Sequence, residues 1–162
     1  MAVFTNLQKS EIENILNDYN LGYLVRFYGI KEGIENTNYF IKTSQNTFIL
    51  TIFEKRVKNK DVPFFVKLMD MMHAKGFKCP RPIRNIHKKS IFKIKNKPAI
   101  IVSYLKGKSK KKLNNSECYN VGRQIGKFHK IASKLPIRRK NMLNLETWNK
   151  IYHQTKNIYP KY

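Results

Sequence analysis

Three β-rich runs follow one another between residues 23 and 56: YLVRFYGI, NYFIKT and TFILTIFEKR. Only short polar stretches join them, with a tight turn at Gln45–Asn46 between the second run and the third. Parallel neighbours need a crossover of a dozen or more residues, so consecutive runs here must pair antiparallel, as a meander. That one constraint fixes the centre of the fold before any other segment is considered.

The flanking segments change period. In SEIENILNDYNLG, Ile12, Ile15, Leu16 and Tyr19 fall on one helical stripe, Ser10 and Glu13 have capping-box spacing, and Gly22 is a stop. After the meander, Asp61 is placed to cap a second helix with Pro63 in its first turn. Its predicted buried stripe is Phe65, Leu68, Met69 and Met72; Gly76 ends it, and CPRPI forces an extended exit. SIFKIK, the turn Asn96–Lys97 and PAIIVSYL then give a second hairpin. The order predicts an α+β fold: a sheet of about five antiparallel strands with one inserted helix. Beyond the basic stretch Lys106–Asn115 the pattern is helical again, with Ser116 as the expected N-cap and Val121, Ile125, Phe128 and Ala132 on one face. A further helix is expected to run to Tyr162. The division predicted is a first unit over 1–105 and the start of a helical unit over 106–162.

Composition excludes some classes. The chain has 162 residues, 41% of them hydrophobic and 12% aromatic, enough to bury a core. Its longest apolar runs cannot span a bilayer, and no secretory leader is visible, so no membrane partner is expected. Cys79 and Cys118 form no metal-type pair, which fits a reduced, cytoplasmic protein. The net charge of +23 suggests nucleic acid as one possible partner. Yet the basic residues are mostly lysine, as an AT-rich genome encodes, and run from Lys9 to Lys161 without forming one block. A solvated lysine-rich surface therefore explains the charge better than a specific nucleic-acid groove, in which arginine would dominate.

The stretch GIKEGIENTNYFIKT, Gly29–Thr43, leaves two readings open: a plain hairpin, or a loop whose backbone N–H groups approach phosphate. The wider sequence favours the second. Together with FILTIFEKRV, PFFVKLMDMMHAKGFKCPRPI, VSYLKGKS, VGRQIGKFH and LPIRRKNMLNLETW, it resembles the bacterial homoserine kinases of the aminoglycoside-phosphotransferase-like type, over nearly the whole chain. What the resemblance implies is a kinase-like small lobe followed by the first helices of a large lobe. It also implies phosphoryl transfer from ATP, with Mg²⁺, to the hydroxyl of L-homoserine in threonine biosynthesis.

In the same terms, Gly29–Asn38 would cover the ATP phosphates. Gly29 and Gly33 would let the backbone come close, and Asn36 and Asn38 would bond phosphate oxygens or fix the turn. Thr51 stands where related kinases carry the lysine that grips the α- and β-phosphates, which leaves Lys55 as the candidate cation. Ser103, Tyr104 and Leu105 would form the adenine pocket, with Gly107 bending the connector. In the inserted helix only Asp70, besides Asp61 at its start, is acidic, and no partner for the cation is assigned. Glu54 is expected to face solvent, and His129 to be structural.

No metal ligand and no catalytic residue is assigned. The family's H-G-D-type loop, its downstream Asn and its later Asp-bearing strand end do not occur, and are expected beyond Tyr162. The chain therefore reads as an N-terminal part of such a kinase. The alternatives are another small-molecule kinase of this fold (aminoglycoside or choline type), a short nucleotide- or partner-binding module without chemistry, and a basic nucleic-acid-binding module.

Overall fold

The computed structural model describes residues 3–142 and 144–158. Tyr159–Tyr162, expected inside the last helix, lie outside the described residues. The elements in chain order are α1 (Lys9–Asn17), β1 (Leu24–Gly29), β2 (Thr37–Thr43), β3 (Thr47–Ile52), α2 (Val62–Ala74), β4 (Ile91–Ile94), β5 (Lys97–Ser103), α3 (Asn115–Ala132) and α4 (Leu145–Thr155). One five-stranded sheet runs β1-β2-β3-β5-β4, and every pairing is antiparallel. The meander is present as expected, and the second hairpin docks through β5 onto β3.

Alternation along the strands separates two cores. Tyr39, Ile41, Phe48, Leu50, Ile52, Ala99 and Ile101 share a cluster with Ile12, Leu16 and Tyr19 of α1. On the opposite face Ile100 and Val102 pack with Phe53 and with Val62 and Val66 of α2. Side chains at alternate positions of a strand point to opposite faces, so one sheet serves both helices.

Several boundaries differ from expectation, each for a local reason. Helix α1 starts two residues early. Glu11 takes the Gln8 N–H at 2.7 Å, and Leu7 and Ile12 are buried in one cluster, in the spacing of a hydrophobic staple. Ser10 and Glu13 are therefore not its cap. Asp61 precedes α2 but does not cap it. The 3₁₀ turn Asn59–Asp61 already gives it helical dihedrals (φ −89°, ψ −19°), and its carboxylate goes to Arg139 at 2.8 Å. The most buried residues of α2 are Val62, Val66 and Met72, so Val62 and Val66 belong to the core face and Leu68 is only partly covered. Strand β3 stops at Ile52, short of Arg56. Phe53 still donates to the Pro98 carbonyl at 2.9 Å, but Pro98 has no N–H to return. The second hairpin turns at Lys95–Asn96, both at positive φ (48° and 65°), one residue before the expected pair. Helix α3 is capped by Asn114, whose side chain accepts the Glu117 N–H at 2.9 Å, so Ser116 lies inside the first turn.

Helices α3 and α4 contain no buried residue among those described. Phe128 meets Phe77 edge-on at 5.6 Å, but Val121 and Ile125 of the same predicted stripe stay open, as do Leu145 and Trp148 of α4 (76% and 56% exposed). Apolar surface of this extent is adhesive in water. The protein is expected to bind an environment-sensitive hydrophobic dye and to self-associate with rising concentration. Ile125→Asn with Trp148→Ser should reduce both, read by dye fluorescence and sedimentation; unchanged association would assign the stickiness to another surface.

Candidate nucleotide-binding site

The face that carries α2 is only partly covered. Alpha-helix contacts reach Ile49, Ile100 and Val102, on the β3–β5 side. On the β1–β2 side the ladder lines up Tyr28, Phe40 and Ile49 across three strands, since Tyr28 pairs with Phe40 and Phe40 with Ile49. The Tyr28 and Phe40 rings stack at 4.8 Å, and Tyr104 meets Phe40 edge-on at 5.5 Å. Two residues nearer the loop, Asn38 pairs with Thr51, and the Thr51 hydroxyl donates to Asn38 Oδ1 at 2.8 Å. At the other end the connector begins at Tyr104, whose N–H reaches the Thr47 carbonyl at 3.3 Å. An aromatic floor thus lies between a polar, glycine-containing loop and a strand-to-connector edge. Such a floor can stack a flat heterocycle, and the Asn38 amide group, its oxygen already engaged, offers N–H donors toward an anion.

The two loop glycines serve different purposes. Gly33 has φ of 114°, a conformation that side chains disfavour. Gly29 is ordinary in backbone; a Cβ there would meet a methyl of Val3 at 2.7 Å, so the Val3 side chain would have to shift to admit one. Asn36 accepts the Glu54 N–H through Oδ1 at 3.4 Å, which ties the end of the loop to the residues after β3.

Lys55 follows Glu54 in the chain just after β3. It sits in the turn Glu54–Val57 and lines a pocket of about 480 Å³ with Phe4, Ile34, Glu35, Glu54, Arg56 and Lys97, between the loop and the N-terminal segment. Ser103 is already engaged: its N–H donates to the Arg81 carbonyl and its hydroxyl accepts the Arg81 N–H, both at 2.9 Å. Among the described hydrogen bonds none uses the N–H of Leu105, the first connector amide free to meet a ligand. Asp70 of α2 is paired with Arg84 at 2.5 Å, and Asp61, just before α2, with Arg139.

Glu54 corrects an expectation. It is not solvent-facing: its side chain is 9% exposed. The hydroxyls of Thr5 and Thr37 both donate to Oε1 at 2.7 Å, and Lys97 pairs with Oε2. Thr37 Oγ in turn accepts the N–H groups of Phe4 and Thr5, at 2.9 and 3.1 Å. Strand parity carries the signal for the inward placement of Glu54 and Thr37, though not for their partners. Phe48, Leu50 and Ile52 are buried, and Glu54 continues their alternation; Thr37 does the same for Tyr39 and Ile41. The same parity identifies Tyr28, Phe40 and Ile49, which the motif-based reading left out.

Burial alone would push the Glu54 pKa up. Hydrogen bonds from Lys97, Thr5 and Thr37, with the charge of Lys97, outweigh it and leave the carboxyl below its ordinary value. A carboxyl whose folded pKa is depressed contributes stability above its unfolded pKa and loses it as pH falls through the folded value. Lys97→Met should therefore cost about 2 kcal/mol at neutral pH, since a charged hydrogen bond is removed. The cost should shrink below the ordinary carboxylate range, and denaturant midpoints at neutral and strongly acidic pH check it.

Among the described residues no group of three His, Cys, Asp or Glu side chains is placed to hold a metal ion. The described residues do not by themselves make a Mg²⁺ site. No helix among them is long and apolar enough to cross a membrane.

The phosphotransferase enzyme family profile matches residues 27–157, and the chain belongs to that family. Within it, the chain is similar to the homoserine kinase of Methylobacterium nodulans, 39% identical over 154 residues, covering 95% of this chain and 48% of the relative. The homoserine kinase of Parvibaculum lavamentivorans is 36% identical over 152 residues, 94% of this chain and 47% of that protein. The chain thus spans about half the length of the curated relatives it matches. Among solved structures, spectinomycin phosphotransferase APH(9)-Ia, crystallised with ADP and spectinomycin, superposes with a TM-score of 0.66 at 15% identity. It covers 97% of this chain and 49% of that one, a likeness of fold.

Proposed function

We propose that this chain is the ATP-binding portion of a homoserine kinase, which transfers the γ-phosphoryl group of ATP to the hydroxyl of L-homoserine. The observation that carries the proposal is the open face: loop, Asn38–Thr51 pair, aromatic floor and connector stand in the order of phosphates, sugar and base of one nucleotide. Identity of 36–39% to homoserine kinases across nearly the whole chain supports the choice of acceptor.

In this reading the adenine lies against Phe40 and Ile49, bordered by Tyr104, with the Leu105 N–H as a main-chain donor. The phosphates run toward Asn38 and the loop at Gly33 and Asn36. Transfer between oxygens is mostly positioning and charge compensation, and it needs a carboxylate to orient the acceptor hydroxyl and metal ions to bridge the phosphates. The described acids of α2 are spent in ion pairs, so these groups are assigned to the remainder of a full-length kinase. The two units proposed meet at the connector, residues 1–105 before it and 106–162 after.

Two measurements test this. AMP-PNP titrated into the 162-residue chain should bind, and Phe40→Ala should weaken it about tenfold, the equivalent of roughly 1.4 kcal/mol of lost stacking. The full-length protein carrying this segment should phosphorylate L-homoserine with a higher kcat/KM than choline or spectinomycin, while the 162-residue chain alone shows no turnover above a blank. Preference for another alcohol would keep the kinase and overturn the acceptor.

A further inference from the structure

We infer that Glu54 is the positioning residue of the loop between β1 and β2, setting the geometry in which that loop receives nucleotide phosphates. This rests on the nucleotide reading above. The loop leaves β1 at Gly29, where Val3 packs against the backbone, and Ile30 still donates to the Asn38 carbonyl at 2.8 Å. At its return into β2, beside the exposed Arg56–Glu35 pair, the loop is tied twice to one residue. The backbone N–H of Glu54 reaches Asn36 Oδ1, and its carboxylate accepts the Thr37 hydroxyl. The same carboxylate accepts from Thr5 and pairs with Lys97, so four chain segments converge on it: the N-terminal stretch, the start of β2, the end of β3 and the start of β5.

The cluster lies on the sheet face away from the aromatic floor. Thr37 shares a face with Tyr39 and Ile41, the face of α1. Asn38 and Thr51 lie on the other face. Glu54 therefore acts through Thr37 on its neighbours Asn36 and Asn38. An unpaired buried hydroxyl is costly, so loss of the acceptor lets Thr37 turn and carries both asparagines with it. The hydrogen bonds must also be accepted from three donors at once, which an ionised carboxylate does and an amide does not.

The test separates positioning from mere stabilisation by using two ligands. AMP-PNP feels the loop through its phosphates; adenosine reports only the aromatic floor. Each is titrated by calorimetry into the 162-residue chain and into Glu54→Gln, Thr37→Val and Thr37→Ser. Glu54→Gln and Thr37→Val should each weaken AMP-PNP about tenfold and leave adenosine within twofold, an effect the size of one charge-assisted hydrogen bond. Thr37→Ser, which keeps the hydroxyl, should match the parent, and the double variant Glu54→Gln/Thr37→Val should be no worse than either single one. Should Glu54→Gln fail to fold, the Thr37→Val and Thr37→Ser pair carries the comparison. Parallel loss of both ligands, or no change in either, overturns the positioning role and leaves the nucleotide reading intact. If the parent chain binds neither ligand, the nucleotide reading falls and this inference with it.

Discussion

The register between β2 and β3 is the constraint on which the rest depends. These two strands supply both faces: Tyr39, Ile41, Phe48 and Leu50 to the core under α1, and Asn38, Phe40, Ile49 and Thr51 to the open side. A slip of one residue would send the aromatic floor into the core and the core into water. The register is pinned at both ends. At the turn, Thr43 Oγ accepts the N–H groups of Gln45 and Asn46 at 3.3 and 3.1 Å. Toward the loop, the Asn38–Thr51 hydrogen bond and the Glu54 cluster hold the opposite end. Tyr39 adds a third fixing point, its hydroxyl accepting from Leu7 N–H and donating to the Thr5 carbonyl, both at 2.9 Å. The Asn38–Thr51 pair of the proposed ligand site is thus among the groups that specify the fold locally.

Charge is distributed so that few carboxylates oppose an anionic ligand. The chain carries +23, and its acids are largely consumed in ion pairs. Most are exposed, such as Lys9–Glu13 and Arg56–Glu35, and contribute little stability each. Lys97–Glu54 and Arg139–Asp61 are the more enclosed ones, and each joins segments distant in sequence. Arg139 also lies over the Phe65 ring at 5.2 Å, so the chain after α3 is fastened to the start of α2 by both charge and stacking.

Strand order, inserted helix and the helical turn of the later chain were legible because they follow from period and turn chemistry. The short link Gln45–Asn46 leaves no other pairing. What was not legible is what depends on three-dimensional convergence. Glu54 follows Phe53 at the end of a β-rich run, and nothing local shows that Thr5 and Lys97 meet it. Asp61 looks like a cap until a preceding 3₁₀ turn and a distant Arg139 claim it. Gly29 reads as a flexible loop residue, whereas its lack of a Cβ matters for contact with Val3. The aromatic floor falls between these cases. Tyr28, Phe40 and Ile49 share no motif, but parity and register place them side by side once the meander is accepted.

Thr51 poses the remaining physical question, how triphosphate would be held without a strand lysine. A lysine there would bring a point charge at the cost of desolvating it against the sheet. Threonine instead donates to Asn38 Oδ1, which orients the amide so that its N–H groups are presented and its oxygen is turned away. That arrangement exchanges charge for direction: neutral donors fixed by a ladder and by a loop rooted at Glu54. Fixed dipoles need no reorganisation when phosphate arrives, and preorganisation of this kind is what makes neutral donors effective toward anions. In the proposed reading the cationic excess around the loop, Lys55 and Arg56 included, would supply long-range attraction. The division of labour in that reading is physically coherent: lysines outside the contact draw the anion in, and Asn38 on β2, with Asn36 at the end of the loop, decides where it rests.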